Sequence, residues 1–382
     1  MRIHLHGGFG EKGRTCVGFE AGGASILIDC GINTGVARTD PAYYPAIGGE
    51  ALARLDAIVV THAHEDHIGA LGWCVANGFR GRVLMTQETR AGADTTLAAY
   101  AEPEHRALAL DLAVEMLPAG GEVGIGPFRL RTGRSGHVVG GVWCAVAAQG
   151  REVVHCGDVV PESPVFAFDS LPRCDAILID ASYGDDAVSA RERARAVLAW
   201  VEAHPACVLP TPLSGRSVEL LAILPDAVAI AAPMREALAA QIAASAWLCD
   251  GAADLASQRL AAAIDWHEHE PLPGRPLLCH DGMGLGGPSR AALEKARAGR
   301  HPVLFTGHVP TDSPGDLMRR EGLADWCRFP THPTLPENLA MVTASGAGLV
   351  IGHSAEAATL AGLKRHLPPL LAEARTGDVF EI

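Results

Sequence analysis

An α/β fold is what this sequence predicts, on two observations. Short apolar runs alternate with longer amphipathic ones along most of the chain, and polar residues able to bind metal stand where several apolar runs end. The runs at 24–28, 57–60, 142–146, 153–155, 176–179, 207–209, 228–231, 277–279, 303–305 and 349–351 are short, and several are unbroken and β-branched, as strands buried on both faces should be. Helical periodicity follows many of them, at 190–203, 218–224, 234–247, 253–264, 289–298 and 355–367. Strand and helix in turn define the α/β class.

The run ends carry the functional information. Asp29 closes Ile26-Leu27-Ile28, and His62 follows Ile58-Val59-Val60-Thr61. Asp158 follows Val153-Val154-His155-Cys156-Gly157, Asp180 closes Ile177-Leu178-Ile179, and His353 follows Leu349-Val350-Ile351-Gly352. Ligands of open α/β sheets bind outside the carboxyl ends of the strands. One Asp in a loop says nothing. Such residues at five strand ends predict one shared site.

Composition sets bounds. With 382 residues, 48% of them hydrophobic, the chain can build one large or two ordinary domains. No apolar run reaches the ~18–20 residues of a membrane span, and the start, Met1-Arg2-Ile3-His4-Leu5-His6, lacks the apolar stretch expected of a signal peptide. A cytoplasmic protein with no membrane partner is expected. The ten cysteines are scattered without a C-x-x-C pair, so they read as buried reduced thiols. A net charge of −13 counts against a broad basic face for nucleic acid, and 5% aromatic residues against a wide base-stacking platform. A local groove of either kind remains open.

The densest signal is His62-Ala63-His64-Glu65-Asp66-His67. Three imidazoles and a carboxylate are costly to bury without partners, and a divalent cation removes that cost. Neighbours in so short a segment cannot all reach one ion, so two ions are expected, zinc first and manganese as the alternative.

His-x-His-x-Asp-His after a strand resembles the signature of the metallo-β-lactamase superfamily. Further elements resemble that family in order: Asp29-Cys30-Gly31, Ser135-Gly136-His137, Cys156-Gly157-Asp158 and Ile351-Gly352-His353. The resemblance implies that His62, His64 and His137 hold one metal, that Asp66, His67 and His353 hold the other, and that Asp158 bridges them. Asp29 would orient a ligand histidine. His155 is a rival ligand by position, but alternation along a strand turns it away from a residue one step on. His4 and His6 read as ordinary polar strand positions.

The long stretch between Asp180 and His353 resembles the β-CASP domain of nucleic-acid-processing members. The matching segments are Asp180-Ala181-Ser182-Tyr183-Gly184-Asp185, Ser214-Gly215-Arg216-Ser217-Val218-Glu219-Leu220-Leu221, Gly282-Met283-Gly284-Leu285-Gly286-Gly287-Pro288 and Phe329-Pro330-Thr331-His332. Asp180 stands where the family more often has Glu. The fold implied is an αββα sandwich carrying an inserted α/β domain, with residues 1–186 and 326–382 as the two parts of the sandwich and 187–325 as the insert. The chemistry implied is phosphodiester hydrolysis by a metal-bound hydroxide, with Asp66 and Asp180 in the catalytic set and His332 as general acid. Ser182, Arg216, Gly286 and Gly287 would touch the substrate phosphate.

The partner expected is single-stranded RNA or DNA. Two other readings stand beside it: a hydrolase of a small molecule such as a nucleotide, phosphodiester or thioester, and a non-catalytic scaffold. A nuclease should carry a basic channel, for which Arg134, Arg216, Arg290, Lys295, Arg297, Arg300, Arg319 and Arg320 are the candidates. Related proteins are often dimers, so a homodimer is a further expectation.

Overall fold

The computed structural model describes residues 1–225 and 227–382. Two large sheets form the centre. The first has the order Val379–Glu381, Arg2–Gly7, Cys16–Ala21, Ala24–Ile28, Ala57–Val59, Arg82–Met85, Val114–Met116. The second has the order Leu349–His353, Ala176–Asp180, Arg151–His155, Val142–Ala148, Phe128–Arg134, Glu122–Ile125.

Alternation within the strands makes these sheets the inner layers. Ile26, Ile28, Ala57 and Val59 point into the core shared with the second sheet, while Leu27, Ile58 and Val60 point the other way. There they meet Leu52, Leu71 and Leu97 of the covering helices. In the second sheet Cys144, Val146, Val153 and Leu178 face inward, and Ala145, Val154, Ile177 and Ile179 pack under Met341, Val342, Leu360 and Leu363. Both faces of each sheet are therefore apolar, and the layers run helix, sheet, sheet, helix. This is the αββα sandwich that the family resemblance implied.

Both sheets change from antiparallel to parallel pairing. Ala24–Ile28, Ala57–Val59 and Arg82–Met85 are parallel neighbours, as are Arg151–His155, Ala176–Asp180 and Leu349–His353. Their carboxyl ends gather along one edge of the sandwich. Asp180 lies opposite His353 in register, although a long segment separates them in sequence. Within that segment Val208–Pro210, Leu277–Cys279, Ala229–Ala231 and Ile264–Trp266 make a separate parallel sheet of four strands.

Two expected helices are shorter than read. The helix expected at 234–247 is Arg235–Ala243, followed by a 3-10 turn at Ser245–Trp247. The break lets the Trp247 carbonyl accept from the Ala167 amide and buries the indole. The helix expected at 355–367 begins only at Ala357, because Ala355–Glu356 pairs with Phe9–Gly10. Strands such as Arg2–Gly7 and Phe128–Arg134 escaped the reading because they alternate buried apolar with polar residues. The cysteines are free and mostly buried. Among the described residues, no helix is long and apolar enough to cross a membrane.

Glu219 is an unusual core group. It sits on the helix Arg216–Ile223, 1% exposed, accepting a 2.6 Å hydrogen bond from Ser163 Oγ. Burial pushes its carboxyl up to about 7, against an ordinary 4.5. The folded state thus holds a proton that the unfolded chain releases, and stability falls as pH rises from the ordinary carboxyl range through about 7. The cost by pH 8 is on the order of 3 kcal/mol. In Glu219→Gln the difference in Tm between pH 5 and pH 8 should shrink. An undiminished difference would assign that titration to another group.

Candidate metal centre

The site grows from the loop after Val59. A single turn of helix, Glu65–Ile68, follows His64. It is pinned from below by backbone bonds: the Thr15 amide donates to the Asp66 carbonyl, the Cys30 amide to His67 and the Ile32 amide to Glu65. Gly31 permits this close seating, since a Cβ there would lie 1.7 Å from the Asp66 carbonyl oxygen.

Asp29 is the keystone beneath it. Its carboxylate accepts from the Thr61 amide at 2.7 Å, from Thr61 Oγ1 at 2.8 Å and from His67 Nδ1 at 2.7 Å. Burial alone would raise its pKa, but the charges and hydrogen bonds of His67 and His155 hold it down at about 2. His67 therefore carries its proton on Nδ1 and turns Nε2 into the site.

His62, His64, His137 and Asp158 converge. His64 Nδ1 lies 3.0 Å from His62 Nε2 and 3.1 Å from His137 Nε2. Asp158 Oδ2 is 3.7 Å from His62 Nε2 and 3.6 Å from His137 Nε2. Burial depresses His62 and His137 well below the usual imidazole range and brings His64 to about 4, so these rings are neutral and offer lone pairs. One ligand atom from each of the four residues lies within 4.8 Å of the others.

A second set of atoms adjoins the first. His67 Nε2, Asp158 Oδ1 and His353 Nε2 are buried and, among the described residues, have no hydrogen-bond partner. His67 Nε2 and Asp158 Oδ1 are 3.1 Å apart, and Asp66 Oδ2 is 3.8 Å from the same Nε2. His353 is oriented by a 3.0 Å contact between its Nδ1 and Ser354 Oγ. Buried polar atoms normally find partners, so this orphaned donor set suits cations. The residues present fit divalent metal.

His332 stands at the edge of the cluster, 24% exposed at its side chain. Its Nδ1 donates to Asp180 Oδ2 at 2.8 Å and lies 3.6 Å from Asp158 Oδ2. Burial alone would lower its pKa, but the Asp180 carboxylate and then Asp158 raise it to about 10. With Nδ1–H committed to Asp180, the transferable proton of the imidazolium is on Nε2. The Asp180 backbone is itself held, because Asn338 Nδ2 donates to its carbonyl at 3.0 Å.

Arg216 opens the helix Arg216–Ile223 and approaches the same wall. Its Nη2 reaches Thr331 Oγ1 at 3.3 Å, and it presses on Gly307, where a Cβ would meet Nη1 at 2.1 Å. Burial lowers its pKa, although a guanidinium stays charged at neutral pH.

The other residues expected at the phosphate have partners within the fold. Ser182 donates both its amide, at 3.0 Å, and its hydroxyl, at 2.6 Å, to Asp180 Oδ1, so it positions Asp180 and has no hydroxyl proton left for a phosphate. The Gly286 amide donates to Asp281 Oδ2 at 3.0 Å, and the amides of Met283 and Leu285 to Oδ1 of the same residue. The loop's own carboxylate thus takes up the Gly286 amide of the Gly286-Gly287 motif. Gly287 begins the helix Gly287–Gly299 beside His280.

Several candidates for a basic channel are paired with carboxylates. Arg134 pairs with Asp169, Arg290 with Glu294, Arg297 with Glu321, and Arg320 with Asp312 and Asp316. The Arg216 charge reaches the histidine cluster, where it helps to depress His64. His155 is not turned away from the centre. The chain bends at Gly157 (φ +56), so strand alternation does not extend to Asp158. His155 is fully buried, with Nε2 3.5 Å from Asp29 Oδ2 and its ring 4.9 Å from that of His353. The sequence reading missed Thr61, Ser354 and Asn338, which orient other groups. Their types are too common in loops and helices to stand out.

Comparison with known proteins agrees with this geometry. Residues 10–212 match the metallo-beta-lactamase superfamily, more than half of the chain. The transcription termination factor FttA of Cenarchaeum symbiosum is 28% identical over 246 residues, 57% of this chain and 38% of that protein. Cleavage and polyadenylation specificity factor 73 of Drosophila melanogaster is 26% identical over 59% of this chain and 36% of that protein. Ribonuclease TTHA0252 of Thermus thermophilus is 31% identical over 174 residues, 43% of this chain and 40% of that protein. The matched part is thus well under half the length of these relatives. Among solved structures, a protein of unknown function from Enterococcus faecalis V583 has the same fold across 99% of both chains, with a TM-score of 0.64 at 11% identity.

Proposed function

Because the chain belongs to the metallo-β-lactamase superfamily, we propose that it is a β-CASP-type metal-dependent phosphodiester hydrolase acting on single-stranded RNA or DNA. In this reading residues 187–325 are the inserted domain, between sandwich parts 1–186 and 326–382. Relatives include one named as a ribonuclease and one as a cleavage and polyadenylation specificity factor. The observation that carries the reading is His332, bonded to Asp180 and with its pKa raised to about 10, beside a converging set of His62, His64, His137 and Asp158.

His62, His64 and His137 would hold one ion, Asp66, His67 and His353 a second, and Asp158 both. The nitrogen-rich set favours zinc, with manganese as the alternative. Two such ions supply Lewis acidity and an activated water. The protein's own residues do the rest. Asp29 fixes the His67 tautomer. Arg216 offers charge to the phosphate. Ser182 and Asn338 position Asp180, Asp180 keeps His332 charged, and His332 Nε2–H protonates the departing oxygen.

A small phosphodiester is the second reading. It is favoured by the arginines that are engaged with carboxylates rather than lining a channel. Purified protein with added zinc or manganese, offered single-stranded RNA, single-stranded DNA and bis(p-nitrophenyl) phosphate, separates the two. Cleavage of a strand supports the first. Turnover of the small ester alone supports the second, and turnover of none sinks both.

A further inference from the structure

Five side chains stand in file from His332 to the surface. The Tyr183 ring meets the His332 ring edge-on, with centroids 5.2 Å apart. The Arg328 guanidinium lies 4.2 Å over the Tyr183 ring and 5.6 Å over the Trp326 ring. Arg319 lies 5.8 Å over the same Trp326 ring. Ring and cation thus alternate outward from the candidate acid.

The inner members are locked. The Thr331 amide donates to Tyr183 Oη at 3.2 Å, and Arg328 Nη1 donates to Asp186 Oδ2 at 2.7 Å. Trp326 Nε1 donates to the Gly307 carbonyl at 2.7 Å, and Gly307 is the residue on which Arg216 presses. The file and Arg216 therefore belong to one wall.

The outer members are free to bind. Trp326 is 38% exposed. Nearby Arg297 and Arg320 are paired with Glu321, Asp312 and Asp316, whereas Arg319, among the described residues, has no carboxylate partner. In a chain of net charge −13, an unpaired guanidinium on an exposed indole stands out chemically. An indole face takes any nucleobase, and a guanidinium takes phosphate.

We propose that Trp326 and Arg319 form a subsite for a nucleotide flanking the scissile phosphate of a single-stranded nucleic acid. A base takes the place of the Arg319 guanidinium on the indole and releases that guanidinium to the adjoining phosphate. The three inner steps of 5.2, 4.2 and 5.6 Å put the Trp326 ring within roughly four to five stacked nucleotides of the His332 ring. The subsite rests on the phosphodiesterase reading above and names where its strand would run.

The test is binding of a fluorescein-labelled single-stranded octanucleotide, followed by anisotropy at several salt concentrations, together with cleavage of the octanucleotide and of bis(p-nitrophenyl) phosphate. Trp326→Ala should weaken strand binding roughly tenfold, and Trp326→Phe should restore most of it. Arg319→Ala should reduce the slope of log K against log salt by about 0.7. For Trp326→Ala the ratio of kcat/KM on the octanucleotide to that on the small ester should fall about tenfold. Matching thermal melts exclude misfolding. If wild type binds and cleaves the strand and both alanine variants do so equally well, the subsite is wrong and the nuclease reading stands. If wild type turns over only the small ester and does not bind the strand, both are wrong.

Discussion

Replacing His332 with alanine lowers kcat on a single-stranded oligonucleotide by about 10²–10⁴-fold, the usual worth of a positioned general acid. Metal content should be unchanged, because His332 Nδ1 already bonds Asp180 at 2.8 Å and the histidine cluster closes without it. The loss should be much smaller on bis(p-nitrophenyl) phosphate, whose leaving group departs readily without a proton. An equal loss on both substrates would mean that His332 binds phosphate instead of delivering a proton. Asp180→Asn sharpens the test. The Asp180 carboxylate is the main charge raising His332 to about 10. Without it the imidazolium is less favoured, its pKa falls, and the alkaline limb of kcat/KM moves down toward neutral pH. An unmoved limb would remove Asp180 from this role.

Chelation abolishes activity and lowers Tm. The physical reason is the number of polar atoms the core has buried for a cation. His67 Nε2, Asp158 Oδ1 and His353 Nε2 have no hydrogen-bond partner, and three more nitrogens converge at 3.0–3.1 Å. Returning metal at about 1,000 times its Kd should restore roughly 4 kcal/mol of stability. Asp158→Ala, which removes the carboxylate shared by both sets, should bring bound metal below two ions per chain and reduce turnover below detection. A Tm indifferent to metal, or a variant that keeps both ions, would refute the bridging role.

Much of this centre was legible in the sequence because its residues follow strands. Asp29, His62, Asp158, Asp180 and His353 come at or just after apolar runs, and parallel strands bring such ends to one edge whatever the loops do. The layering was legible for the same reason: Ile26, Leu27 and Ile28 are all apolar because the sheet is covered on both faces. Strands with a polar residue at every second position were not, since Arg2–Gly7 spells no apolar run.

What the sequence determined by itself was residue type and spacing, hence the family, the two sheets and the ligand set expected for metal. Only the tertiary structure decided which polar groups remain available. Gly286, Ser182 and most of the arginines have the right chemistry for phosphate, but Asp281, Asp180 and neighbouring carboxylates occupy them. The same packing drew His155 beneath the site and ranged Arg328, Trp326 and Arg319 outward from His332. The physical reason is that strand periodicity is local and survives in one dimension. Whether a hydrogen-bonding group is spent or free depends on partners far away in the chain, which only the folded packing brings within reach.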